Sequence, residues 1–133
     1  MKPVYLIDAS SLIKALKEAK LVPLGGQALQ WLTVYEVLNV FWKETYLLRR
    51  LRLEEAISLA SDITELIQNM VILEPSGLEH DILQIAVSKG VTAYDASYLA
   101  LAKKHGLTLV TEDQKLFRAA SSIIKVASLD DIA

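Results

Sequence analysis

Short apolar runs alternate with longer amphipathic stretches along the whole chain. The runs at 4–8, 71–73, 107–111 and 123–126 are rich in Val, Ile and Leu, which is typical of buried parallel strands. Between them, apolar residues recur every three or four positions, as in residues 53–69, and this spacing predicts helices. The alternation predicts an α/β protein with three layers, α/β/α, around a central, mostly parallel sheet.

Capping residues mark where the predicted helices begin and end. Ser10 is placed to cap a helix through residue 19, and residue 113 begins a short helix through residue 120. The capping-box pattern, a hydroxyl residue with an acid three positions later, opens three more helices at Thr33–Glu36, Ser76–Glu79 and Thr92–Asp95. These helices are predicted to run to residues 50, 89 and 104, and glycine stops the last two.

Length and composition indicate one globular domain over residues 1–133. Hydrophobic residues make up 53% of the 133, which is enough for a core and too many for a disordered chain. No run approaches the ~18 apolar residues of a membrane helix, and the first residues do not form a secretory signal. We therefore expect a soluble, cytoplasmic protein. The absence of cysteine excludes disulfides, thiolate zinc sites and cysteine nucleophiles.

The charge balance disfavours one kind of nucleic-acid binding. With a net charge of −2, the chain is not expected to coat duplex DNA by bulk positive charge, although a nuclease remains compatible with it. The basic residues form small clusters that read first as solvated helix faces. Within and beside them, four side chains are candidates for phosphate contact, namely Lys14, Arg49, Arg50 and Arg118.

Four acids lie where the apolar pattern breaks: Asp8, Glu36, Asp95 and Asp113. Asp8 and Asp113 follow predicted strands, and the other two open predicted helices. Parallel sheets place their sites at the carboxyl ends of the strands, so the four can converge on one cleft. Carboxylates beside apolar runs need partners, and few cations are near. A hard divalent ion, Mg²⁺ or Mn²⁺, is the partner that suits them best.

Each acid also has a purely structural interpretation. Glu36 and Asp95 could be capping partners, and Asp113 could cap the helix that it precedes. Asp8 is the hardest to explain this way, because Ser10 could cap the first helix without it. Glu112 neighbours Asp113 but should point elsewhere. Polar residues that could support the acids from behind are Ser10, Asn39 and Thr111, whereas His80 and His105 read as ordinary polar residues.

The segments around the acids resemble the PIN domain, and within it the VapC-type ribonucleases of toxin–antitoxin systems. The likeness rests on residues 6–10, 36–40, 92–102 and 109–116, which occur in order at compatible spacing. It implies that Asp8, Glu36, Asp95 and Asp113 are metal-binding catalytic acids and that Thr111 is the family's hydroxyl before the last aspartate. It further implies Mg²⁺- or Mn²⁺-dependent cleavage of single-stranded RNA, a homodimer, and an antitoxin that blocks the cleft. Hydrolysis would leave a 5′-phosphate and a 3′-hydroxyl.

Other classes fit the residues less well. A haloacid dehalogenase-type phosphatase needs an aspartate where Ser10 stands, a receiver domain needs an acid pair at the first strand, and an integrin-like site needs a serine where Leu12 stands. The more serious alternative is a catalytically inactive PIN-like module that binds protein or RNA. The apolar residues Trp42, Tyr46 and Leu47 could form a dimer surface, but we expect them to belong to the core.

Overall fold

A five-stranded sheet organises the computed structural model, which describes residues 2–133. The strands are β1 (Tyr5–Ile7), β2 (Ala28–Gln30), β3 (Val71–Leu73), β4 (Thr108–Val110) and β5 (Val126–Ala127). They lie in the order β3-β2-β1-β4-β5, and each neighbouring pair is parallel. Leu6 in the central strand is in register with Leu109 on one side and with Ala28 on the other. The predicted parallel sheet is confirmed.

Helices connect the strands and cover both faces of the sheet. The α-helices are α1 (Ala9–Lys17), α2 (Trp31–Trp42), α3 (Leu53–Ile67), α4 (Glu79–Lys89), α5 (Ala93–His105), α6 (Gln114–Ser121) and α7 (Leu129–Ile132). Alternation along the strands divides the core: Ile7 and Val110 pack with α1, α2, α3 and α7, whereas Leu6 and Leu109 pack with α5 and α6. The α/β/α layering predicted from the sequence is therefore confirmed.

Strand β2 is a central element that the sequence pattern missed. Ala28, Leu29 and Gln30 are fully or almost fully buried, and they form a strand between β1 and β3. The run is only three residues long, follows two glycines and ends in an amide, so it resembled a loop. Burial of Gln30 is possible because its side-chain amide donates to Ser97 Oγ at 2.8 Å.

Several predicted helix ends are wrong by a few residues. Helix α2 begins at Trp31 rather than at residue 34, so Thr33 does not cap it. Its regular part ends at Trp42, and a π-helical turn over Lys43–Leu47 follows. Ser76 does not cap α4, which starts at Glu79. The short helix α7 had no prediction, and the last strand is displaced from residues 123–126 to Val126–Ala127.

Other boundaries agree with the sequence. Thr92 caps α5 by accepting a hydrogen bond from Asp95 N at 3.1 Å. Gly90 and Gly106 end α4 and α5 with left-handed φ angles of 65° and 64°, which a residue without a side chain adopts without strain. Among the described residues, no helix combines the length and the apolar character that crossing a membrane requires.

The expectation that Trp42, Tyr46 and Leu47 belong to the core is wrong. Their exposed fractions are 50%, 67% and 54%, and the rings of Trp42 and Tyr46 stack at 5.7 Å on the surface. Phe41, the neighbour of Trp42, belongs to the core instead. A groove of about 510 Å³ lies between α2 with its π-helical turn and the start of α3, and these two aromatic residues line it.

Candidate active site

An acidic cleft of about 370 Å³ opens at the carboxyl end of the sheet. The four candidate acids, Asp8, Glu36, Asp95 and Asp113, all line it, although they are spread over more than one hundred positions of the sequence. Asp8 follows β1, Asp113 follows β4 after two residues, and the other two lie on α2 and in the first turn of α5. Parallel strands explain the convergence, because the chain leaves each strand at the same edge.

Asp8 is the buried acid of the cleft, with an exposed fraction of only 4%. It is the N-cap of α1, and its Oδ1 accepts from Ser11 N at 2.9 Å, so the expectation that Ser10 caps this helix is wrong. The Ser10 hydroxyl instead donates to the Asp8 carboxylate at 2.8 and 3.0 Å. Burial raises the pKa of the Asp8 carboxyl, while these hydrogen bonds and one from Thr111 lower it in part.

Two hydroxyls tie the ends of β1 and β4 together behind Asp8. Thr111 Oγ1 donates to Asp8 Oδ2 and accepts from Asp113 N at 3.0 Å. Ser10 Oγ accepts from Glu112 N at 2.9 Å. Each hydroxyl therefore uses its proton on Asp8 and its lone pair on the backbone after β4. Ser10 lines the cleft, whereas Thr111 lies behind the carboxylate with an exposed fraction of 1%.

Glu36 is held from the opposite side of the cleft by a tyrosine. Its Oε1 accepts from the Tyr98 hydroxyl at 2.7 Å. Burial raises the pKa of the Glu36 carboxyl, and the charges of Asp95 and Asp8 raise it further, against the effect of the tyrosine bond. Asn39, one turn further along α2, also lines the cleft.

Asp95 and Asp113 lie at the N-termini of two helices, in the first turn of α5 and at the N-cap of α6. Asp113 is the exposed N-cap of α6, and its Oδ1 accepts from Lys115 N at 2.9 Å and Leu116 N at 3.3 Å. Burial raises the pKa of the Asp95 carboxyl and so does the charge of Asp113, while Lys115 lowers it. Both positions suit an acid, because a helix N-terminus carries partial positive charge.

The donor set of the cleft fits a hard divalent cation. None of the four carboxylates forms an ion pair with any of residues 2–133, and their only anchors are hydroxyls and backbone amides. Oxygen ligands of this kind are those that Mg²⁺ and Mn²⁺ prefer. The agreement concerns the type of ligand and the location of the four acids in one cleft. No three acid or histidine side chains in the described chain are already arranged to hold an ion.

The basic residues suggested for phosphate contact do not line the acidic cleft. Lys14 forms ion pairs with Glu112 at 3.2 Å and Asp130 at 3.0 Å. Arg49 lines the groove between α2 and α3, and Arg50 and Arg118 are exposed. Glu112 points away from the cleft as expected: its second oxygen accepts from Leu129 N at 2.7 Å and holds α7.

Tyr98 and Thr33 are site residues that sequence reasoning missed. Both are buried, and their hydroxyls lie 2.9 Å apart behind Glu36. Tyr98 follows Asp95 by three positions and therefore lies on the same face of α5, which is a signal that the sequence contained. Thr33 was assigned to a cap that does not exist. Lys115, the cation that acts on Asp95, was also missed.

Comparison with known proteins agrees with this fold. The family model described as PIN domain matches residues 5–122. The chain is 33% identical over 127 residues to "Exonuclease VapC9" of Pyrobaculum aerophilum, covering 94% of this chain and 92% of that protein. It is 37% identical over 87 residues to "Ribonuclease VapC3" of the same organism, covering 64% of each.

Solved structures show the same architecture. PAE2754 from Pyrobaculum aerophilum superposes with a TM-score of 0.81 at 29% identity, covering 98% of this chain and 94% of that one. VapBC2 from Rickettsia felis, solved with a DNA fragment from its promoter, has a TM-score of 0.66 at 14% identity, covering 94% and 98%, and shows the fold alone. The chain belongs to the PIN domain family, among the VapC proteins.

Proposed function

We propose that this chain is an Mg²⁺- or Mn²⁺-dependent ribonuclease that hydrolyses single-stranded RNA in the acidic cleft. The observation that carries the proposal is the meeting of four carboxylates, from four distant segments, in one cleft where no cationic side chain of residues 2–133 bonds to them. Such a group is costly in a folded protein unless a cation offsets its charge. The names of the VapC relatives, one an exonuclease and one a ribonuclease, support nuclease chemistry.

Asp8, Glu36, Asp95 and Asp113 would hold the ion. When bound, a divalent ion neutralises charge on a phosphodiester and activates water at neutral pH. Asp8 offers the most rigid carboxylate, because hydroxyls on both sides and the start of α1 fix it. Asp113 is the exposed acid of the cleft. Ser10, Asn39 and Thr111 support these acids by position or by hydrogen bond.

We also propose that the protein is the toxin of a toxin–antitoxin pair and that it forms a homodimer. The VapC relatives support this assignment, because the resemblance to VapC-type ribonucleases implies an antitoxin partner. The exposed pair Trp42 and Tyr46 supports contact with a second protein chain, because large apolar residues stacked on a surface mark association sites.

The test is to incubate the purified chain with a pool of RNAs and Mg²⁺ or Mn²⁺, and to map the ends of the products. We expect internal cuts in unpaired regions, 5′-phosphate and 3′-hydroxyl ends, no cutting in EDTA, and none by Asp8→Asn. Progressive shortening of the RNA from one end would show that the protein is an exonuclease and not an endonuclease. Equal cutting by wild type and Asp8→Asn would overturn the assignment of the site.

A second candidate is an inactive PIN-like module that binds a partner. The observation that favours it is the lack of a ready-made group of three ligands in residues 2–133. Thermal melting with Mn²⁺ discriminates between the two. An ion that binds only the folded chain stabilises it by about 2.7 kcal/mol at a hundredfold excess over Kd, so unchanged melting of the wild type would favour the inactive module.

A further inference from the structure

Three hydrogen-bonded side chains form a series from the buried interior to the acidic cleft. Thr33 Oγ1 lies 2.9 Å from the Tyr98 hydroxyl oxygen, which lies 2.7 Å from Glu36 Oε1. Thr33 and Tyr98 have exposed fractions of 0% and 1%, so the bond between their hydroxyls is shielded from solvent. This series links α2, which carries Thr33 and Glu36, to the middle of α5, which carries Tyr98.

Counting protons shows which hydroxyl donates in each of these hydrogen bonds. A phenol has one proton, and an ionised carboxylate can only accept. Tyr98 therefore donates to Glu36, and the threonine hydroxyl must donate to Tyr98. A hydroxyl that receives one hydrogen bond becomes a better donor in the next, so Thr33 strengthens the bond to Glu36.

The two oxygens of Glu36 consequently differ. Oε1 is occupied by Tyr98, and no group in residues 2–133 donates to Oε2. A glutamate has three side-chain torsions, and a fixed Oε1 leaves little freedom for Oε2. A second buried pair also ties the start of α2 to α5, because the Gln30 amide donates to Ser97 Oγ at 2.8 Å. Two buried hydrogen bonds therefore hold Tyr98 and its helix in place against the start of α2.

We infer that Tyr98 is a positioning residue: supported by Thr33, it fixes the Glu36 carboxylate so that Oε2 faces the cation of the cleft. The inference rests on the proposed metal site and adds to it two residues that act through Glu36. Groups that hydrogen-bond a metal-binding carboxylate from behind typically change metal affinity by about 10- to 100-fold when they are removed.

The experiment measures Mn²⁺ binding by calorimetry, without RNA. Tyr98→Phe keeps the ring and removes only the donor, and we expect Mn²⁺ affinity to fall by about 10-fold. Thr33→Val should cause a smaller loss, and Thr33→Ser should restore wild-type affinity. In a Glu36→Gln background, Tyr98→Phe should change the remaining affinity by less than about twofold, because the two residues act as one unit.

Tyr5→Phe is the matched control. Tyr5 is a partly buried tyrosine on β1 that packs against the other core cluster, away from the cleft, and its change should leave Mn²⁺ affinity unaltered. Equal Mn²⁺ affinity of wild type and Tyr98→Phe would overturn the inference, as would equal losses with and without Glu36. If Tyr98→Phe does not fold, unaltered affinity of Thr33→Val overturns it. A wild type that binds no Mn²⁺ would defeat the proposed function as well.

Discussion

Thr111 and Asp8, 103 positions apart in the sequence, are joined by a hydrogen bond from the threonine hydroxyl to the buried carboxylate. The same hydroxyl accepts from Asp113 N, so one side chain connects the ends of the two central strands and two of the candidate ligands. The bond shows how the parallel sheet and the acidic cleft depend on each other.

Removing this hydroxyl should destabilise the fold. In Thr111→Val, Asp8 loses a buried donor and Asp113 N loses its acceptor, and an unsatisfied buried group costs about 1–3 kcal/mol. We expect a loss of that size in urea unfolding, with Thr111→Ser close to wild type because it keeps the hydroxyl. A valine variant as stable as wild type would show that the bond contributes nothing.

Removing the charge of Asp8 should abolish the response to metal. Wild type should melt at a higher temperature with Mn²⁺ than with EDTA, because an ion that binds the folded state stabilises it. Asp8→Asn should lose this shift together with RNA cleavage. Glu65→Gln, on the exposed face of α3, is the control and should keep both. Persistence of the shift in Asp8→Asn would place the ion elsewhere.

Stability in EDTA should depend on pH through the cleft. The pKa values of the Asp8, Glu36 and Asp95 carboxyls are raised, mainly by burial, from ordinary values of 3.8 for aspartate and 4.5 for glutamate. In this range the folded chain holds protons that the unfolded chain has released, so the stability from these groups falls as the pH rises. Asp8→Asn removes the most buried of these three carboxyls, and with it that residue's contribution to the loss of stability.

The stability of Asp8→Asn relative to wild type should therefore rise as the pH is increased from about 4 to about 7. Exposed acids that titrate in the opposite direction are common to both proteins and cancel in the difference. The measurement is the difference in melting temperature at each pH, in EDTA. A difference that is constant, or that declines with pH, would contradict the raised pKa of Asp8.

Glu112 offers a separate test of which acids belong to the site. Its carboxylate holds Lys14 and the start of α7 instead of facing the cleft. Glu112→Ala should lower the free energy of unfolding by about 1–2 kcal/mol through the lost bond to Leu129 N. The Mn²⁺ melting shift should survive. Loss of that shift in a folded Glu112→Ala would show that the neighbour of Asp113 is also needed for the ion.

The sequence predicted the sheet, the order of most elements and the residues that meet in the cleft, because these follow from local patterns. Apolar runs specify buried strands, and acids at their ends share an edge in any parallel sheet. It did not predict β2, since a buried glutamine reads as polar until its partner Ser97 is known. It wrongly assigned Thr33 and Ser10 to helix caps, because a hydroxyl that caps a helix and one that bonds another side chain look alike in sequence. The support that Ser10 was expected to give the acids is present in its bonds to Asp8.

The exposure of the aromatic residues at the end of α2 was also beyond the sequence. An aromatic residue on an amphipathic helix carries no sign of whether its face is covered. Trp42 and Phe41 are adjacent and both apolar, yet one is half exposed and the other is in the core. Only the packing of α2 against α3 and the sheet distinguishes them.

The order of the acids along the chain has a consequence for biosynthesis. Asp8 leaves the ribosome early, but its counterparts on α5 and α6 follow only after most of the sheet has been made. A nascent chain that has not reached residue 113 lacks one wall of the cleft and cannot gather all four carboxylates. Any catalytic power that depends on them is thus withheld from translation intermediates by the topology itself.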